Sequence, residues 1–155
     1  MNKILIPFSL IVSLFIVGCA GTSFKVDRAY APAKGDNFSL NIEDSASMSA
    51  EGMEILRSRL IEQLQSKNIL KEKNSKLKLN VKITTYNMRH GASRAMLGVM
   101  AGSDRIISTI TILDQQSNNI IGVYKVNSKN PSAWGTSRGL IEEHADTIVS
   151  YLNGN

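Results

Sequence analysis

Three sets of residues could do chemistry in this 155-residue chain: a single cysteine, two histidines, and a run of arginines among glycines. His90 follows Arg89, and His144 stands beside Glu142 and Glu143. Neither histidine makes a two-histidine metal spacing of the His-Glu-x-x-His kind. One cysteine excludes an intramolecular disulfide and any zinc site that needs several thiolates. A Walker-type phosphate loop is excluded because no Gly-Lys-Ser/Thr follows Gly91 or Gly98. The scattered serines, histidines and aspartates form no set that chance would not supply. No catalytic residue, metal site or cofactor is therefore expected.

Cys19 is different because of what precedes it. Lys3, the apolar residues 4–17 and the small exit Gly18-Cys19-Ala20 are the parts of a secretory signal. The apolar run falls short of the roughly 20 residues of a bilayer span, which is the competing reading. Ile16-Val17-Gly18-Cys19 resembles the lipobox of bacterial lipoproteins. The resemblance implies that residues 1–18 are removed and that Cys19 is acylated. One acyl chain binds membranes only marginally, and lipoproteins of this kind usually carry three. Ala20 stands where an aspartate would signal inner-membrane retention, so the implied address is the outer membrane, facing the periplasm.

The elements that position these residues follow from periodicity. Residues 19–36, with Gly21, Thr22, Ser23, Pro32 and Gly35, show no sustained period and are expected to form a flexible tether spanning about 20–25 Å. Phe38, Leu40 and Ile42 alternate with polar residues as in a half-buried strand. Met53, Leu56, Leu60 and Leu64 recur at helical spacing behind serine caps, and Lys67-Asn68 suits that helix's end. Leu77, Leu79, Val81 and Ile83 alternate with Lys76, Lys78, Asn80 and Lys82, so one face of the sheet is expected to be covered and the other wet. Residues 106–113 and 120–126 are β-branched runs joined by six polar residues, a hairpin. Thr136 or Ser137 can cap a last helix whose stripe is Ile141, Ala145, Ile148 and Leu152. The order β-α-β-β-β-α predicts an α+β domain over residues 37–153, a four-stranded mixed sheet with both helices on one face.

Between the second and third expected strands lies the segment 89–105. Gly91, Ala95, Gly98 and Gly102 would form a small-residue stripe on a helix, with an apolar flank and arginines at both ends. Three readings stand: a packing element of its own sheet, a contact surface for self-association or a partner, or a segment dipping into lipid. As a contact surface, its residues are Arg89, Arg94, Gly98, Gly102 and Arg105. This segment, the β run ending at Asp114, Gly122 in the next strand and His144-Ala145 in the last helix are similar to a family of small envelope lipoproteins built on a domain of unknown function. The likeness covers about residues 37–152 and implies the architecture and the compartment, without an activity.

Charge is unevenly spread. Residues 67–94 hold Lys67, Lys71, Lys73, Lys76, Lys78, Lys82, Arg89 and Arg94 against Glu72 alone, within a chain of net charge +5. Such asymmetry bears on partners: it is either a solvated face protecting strand edges or a surface for an envelope polyanion. Nucleic acid is excluded by the address and by the lack of interleaved aromatics. The function expected is a non-enzymatic outer-membrane lipoprotein whose periplasmic domain binds another envelope component. The alternatives are an envelope enzyme such as a cell-wall glycan hydrolase, which needs a polar pocket around a histidine, and a self-associating structural anchor.

Overall fold

The computed structural model describes residues 21–89, 103–130 and 136–152. Strand β1 spans Gly21–Arg28, β2 Phe38–Asp44, helix α1 Ala50–Ser66, β3 Leu77–Asn87, β4 Asp104–Asp114, β5 Ile120–Asn130 and helix α2 Ser137–Tyr151. The strands form one five-stranded sheet in the order β1-β5-β4-β3-β2. Only β2 and β3 pair in parallel, as the intervening α1 requires. All other neighbours are antiparallel.

The class is α+β with two helices, but the expected four-strand sheet needs correction to five. The additional strand is β1, inside the segment read as a flexible tether. Its apolar side chains are only Phe24 and Val26, and neither is buried, so hydropathy leaves no mark of a strand. Its order comes from the backbone ladder to β5, where Phe24 faces Val126 and Val26 faces Tyr124. The following residues are also ordered. Tyr30 is buried, stacks edge-on against Phe38 at 6.1 Å and donates its hydroxyl to Asp36. Burial and the Asp36 carboxylate both raise the Tyr30 pKa.

The remaining elements follow their patterns. Ser49 caps α1 by accepting from the Gly52 amide at 3.1 Å, and the helix ends at Lys67 before Asn68, whose φ is 55°. Thr136 is the α2 cap, accepting from Gly139 at 3.0 Å. In the hairpin, Asp114 Oδ1 accepts from the amides of Gln116 and Ser117, and the Ser117 amide foremost holds that carboxyl below its usual range. Leu56, Leu60 and Leu64 of α1 and Ile141, Ala145 and Ile148 of α2 are fully or almost fully buried. They pack on Leu79, Val81, Ile83, Ile106, Ile110, Ile112, Tyr124 and Val126, which come from one face of β3, β4 and β5. The opposite face carries Lys82, Lys125 and Arg105, all exposed.

Candidate functional site

The sheet end at which β3 stops, β4 starts and β5 stops is built around Arg89. Its amide and its Nε both donate to Asp104 Oδ1, at 2.8 and 3.0 Å, and Nη2 donates to the Asn130 carbonyl at 3.4 Å. The two side chains are 4% and 0% exposed. Arg89 is thus turned inward and ties together the strand ends that flank residues 90–102. A buried guanidinium so held is a brace, and removing one partner strands a charge away from water. Arg105 alternates with Asp104 on β4, so it points to the other face, exposed, with Nε 3.1 Å from Asn127 Oδ1. The structure therefore places Arg89 and Arg105 on opposite sides of β4 and brings no joint surface out of them. Arg94, Gly98, Gly102, His90 and Cys19 lie outside the described residues.

His144 belongs to the buried stripe of α2 and is fully buried. Its Nε2 lies 2.8 Å from Ser108 Oγ on β4, and its Nδ1 lies 2.8 Å from Ser128 Oγ on β5. Ser128 Oγ in turn lies 2.7 Å from Thr22 Oγ1 on β1. One helix residue is thereby bonded to two strands and linked through a hydroxyl to a third. A neutral imidazole offers one donor and one acceptor, which two hydroxyls satisfy by rotating to suit. Burial drives its pKa down to about 3, so the ring stays neutral near pH 7. The hydrogen bonds of the ring go to hydroxyls, not to the neighbouring Glu142 or Glu143. Both serines are themselves 0% exposed, so no substrate reaches a serine-histidine pair here.

Sequence reasoning missed this network although a signal existed. Ser108 interrupts the buried row Ile106, Ile110, Ile112, and Ser128 extends the row Tyr124, Val126. Polar residues at core positions of three elements call for one another. A second pattern was also missed: Gly135-Thr136-Ser137-Arg138-Gly139 fits Gly-x-Ser-x-Gly, the nucleophile-elbow spacing. Here the pattern serves the helix start, with Thr136 as the cap and Ser137 as the first residue of α2. Both nitrogens of His144 are already engaged by Ser108 and Ser128.

Between α1 and α2 runs an open groove of about 510 Å³ lined by Glu54, Ser58, Arg59, Glu62, Arg138 and Glu142. Most of its charges pair with one another or nearby: Arg59 holds Asp146 at 2.7 and 2.9 Å and Glu62 at 2.8 Å, Arg138 meets Glu142 at 3.5 Å, and Glu54 accepts from the Ser58 hydroxyl at 3.0 Å. Among the described residues no group of three or more histidine, cysteine or acidic side chains could hold a metal ion. Among them, too, no helix is long and apolar enough to cross a membrane.

What is open is the edge of the sheet. β1 is its outermost strand, and the helix-side face of β1 shows Phe24 at 54% and Val26 at 39% exposure. Phe24 touches the Tyr151 ring at a centroid distance of 5.9 Å, at the border of the helix layer. Lys25 and Asp27 point to the opposite face, where they pair at 3.3 Å. The result is an apolar ledge beside an edge strand.

The sequence matches the family model described as "Domain of unknown function (DUF4410)" over residues 22–135, and the chain belongs to that family. The matched span begins within β1. No curated protein matches the chain. Among solved structures it is similar to PelC from Paraburkholderia phytofirmans, a dodecamer, at 11% identity and a TM-score of 0.65, covering 85% of this chain and 97% of that one. A single-substitution variant of that dodecamer gives the same TM-score at 12% identity. Protein XCC0632 from Xanthomonas campestris, of family DUF330, follows at a TM-score of 0.50 and 11% identity, covering 84% of this chain and 90% of that one. At such identities these likenesses speak for the fold.

Proposed function

Starting from membership of that family, we propose that the chain is a non-enzymatic outer-membrane lipoprotein, held through acylated Cys19 with its domain facing the periplasm, that assembles with further copies of itself. The observation that carries the assembly reading is the β1 ledge. Edge strands offer unpaired backbone groups, and proteins that stay apart blunt them with charges or prolines. Here β1 carries Lys25, Asp27 and Arg28, yet its helix-side face also exposes Phe24 and Val26. PelC, which shares this fold, is a dodecamer, and that supports self-association in this chain. The lipobox residues support the anchor, and the envelope component that the domain binds is, on this reading, its own neighbour.

Sedimentation velocity of the acylated protein in mild detergent tests the assembly. The parent should sediment as an oligomer, and Phe24→Asp should sediment as a monomer with little change in Tm, because Phe24 is more than half exposed. A parent that is monomeric at all concentrations would sink the assembly reading. So would a Phe24→Asp protein that keeps the parent's size. The anchor is tested separately by metabolic labelling with a clickable fatty acid, which should be lost in Cys19→Ser; label that persists would refute acylation at this sulfur.

A further inference from the structure

We propose that the helix-free face of the sheet is a docking surface for anionic phospholipid, laid against the bilayer by the short connection to Cys19; the orientation rests on the anchor proposed above. Lys82 of β3, Thr109 of β4, Lys125 of β5 and Lys25 of β1 are in register across four strands. A second row sets Arg105 beside Lys129. Lys78 extends the positive face along β3, next to Leu113. Among the described residues, these six cations share the face turned away from the helices with two acids, Asp27 and Glu43. The helix layer is opposite in sign, with Glu51, Glu54, Glu62, Glu142, Glu143 and Asp146 against three arginines. The domain therefore has a charge axis perpendicular to its sheet, which orients it in the field of a negative surface.

The lysine pair at the β1 margin sets two like charges side by side. Lys25 and Lys125 stand directly opposite each other on neighbouring antiparallel strands, an arrangement that repels. Asp27 bridges both, at 3.3 and 3.9 Å, and neutralises only one of them. Both lysines remain more than half exposed, at 78% and 52%. The half-exposed side chains between them are Thr109, Thr111 and Asn127 together with Ile107 and Val123, so the cations stand at the rim of a mixed polar and aliphatic centre.

The position of β1 chooses a lipid surface over a soluble polyanion. Gly21 opens the strand two residues after Cys19, and two extended residues reach at most about 7 Å. An acylated Cys19 would hold the Gly21–Lys129–Arg105 row at headgroup level, where each cation contributes about 1 kcal/mol near an anionic surface.

Amine-reactive labelling read by mass spectrometry tests this on the full acylated chain in vesicles. On mixed phosphatidylcholine and phosphatidylglycerol vesicles, Lys25, Lys82, Lys125 and Lys129 should label about fivefold more slowly than on phosphatidylcholine alone, the equivalent of about 1 kcal/mol per lysine. Raised salt should abolish the difference. Lys67, at the end of α1 in the helix layer, is the internal control and should label alike on both. Equal labelling of the four sheet lysines on the two vesicles overturns the proposal. Protection by an acidic polysaccharide in detergent, without protection on phosphatidylglycerol, also overturns it and assigns the face to a glycan. The mass of the chain reports acylation independently, so a failed anchor and a failed docking face are distinguishable.

Discussion

Acidification should destabilise this domain through one ring. His144 in the fold cannot take a proton until about pH 3, because burial opposes the charge and both nitrogens face serine hydroxyls. In the unfolded chain the same ring titrates at its ordinary value near 6.5. Below that value the unfolded state binds more protons than the folded one, so stability falls as pH falls and the loss continues down to about pH 3. Between pH 7 and pH 5 this single group removes about 2 kcal/mol, approaching a limiting slope of about 1.4 kcal/mol per pH unit. Urea unfolding followed by far-ultraviolet circular dichroism at several pH values measures the slope directly, with a constant m-value confirming that the same transition is compared. The control is His144→Gln, whose amide can serve the two hydroxyls but cannot titrate. The variant should begin less stable at pH 7 and lose about 2 kcal/mol less than the parent on going to pH 5. Parallel pH profiles for parent and variant would refute the assignment of a neutral, water-excluded imidazole.

Two further substitutions test packing that the sequence does not display. Asp104→Ala leaves the Arg89 guanidinium buried without its carboxylate and should cost about 3–5 kcal/mol, read as a fall in urea midpoint; a change within error would show that water reaches this brace. Gly122→Ala places a Cβ 2.7 Å from Tyr30 Cβ and 3.1 Å from Ile112 Cδ1, and should lower stability by about 1–3 kcal/mol. An unaltered Tm there would mean that the Tyr30 segment is not seated on β5.

How much of this was legible depended on where each residue's partner lies. β2, β3, the hairpin and both helices could be read because alternation or a 3.6-residue stripe writes burial into the chain itself, as in Leu77, Leu79, Val81 and Ile83. The caps were readable for the same local reason. β1 was not, since its strand character comes from pairing with β5, about a hundred residues away, and its own side chains are mostly exposed. Arg89 looked like a surface cation because its carboxylate, Asp104, sits beyond a connection whose path a sequence does not specify. His144 was read only through its neighbours Glu142 and Glu143, although its spacing from Leu140, Ile141, Ala145 and Ile148 put it among buried positions. Of the candidate contact residues only Arg89 and Arg105 fall in the described structure, and it separates them.

The sheet has two unlike margins, β1 at one side and β2 at the other. A neighbour added to one margin by the other makes a heterologous contact, the same step repeated in one sense of rotation. Repetition of such a step has two outcomes: the rotation closes and growth stops at a fixed copy number, or it does not close and a filament lengthens without limit. The angle at a single junction thus decides between a finite annulus and a fibre.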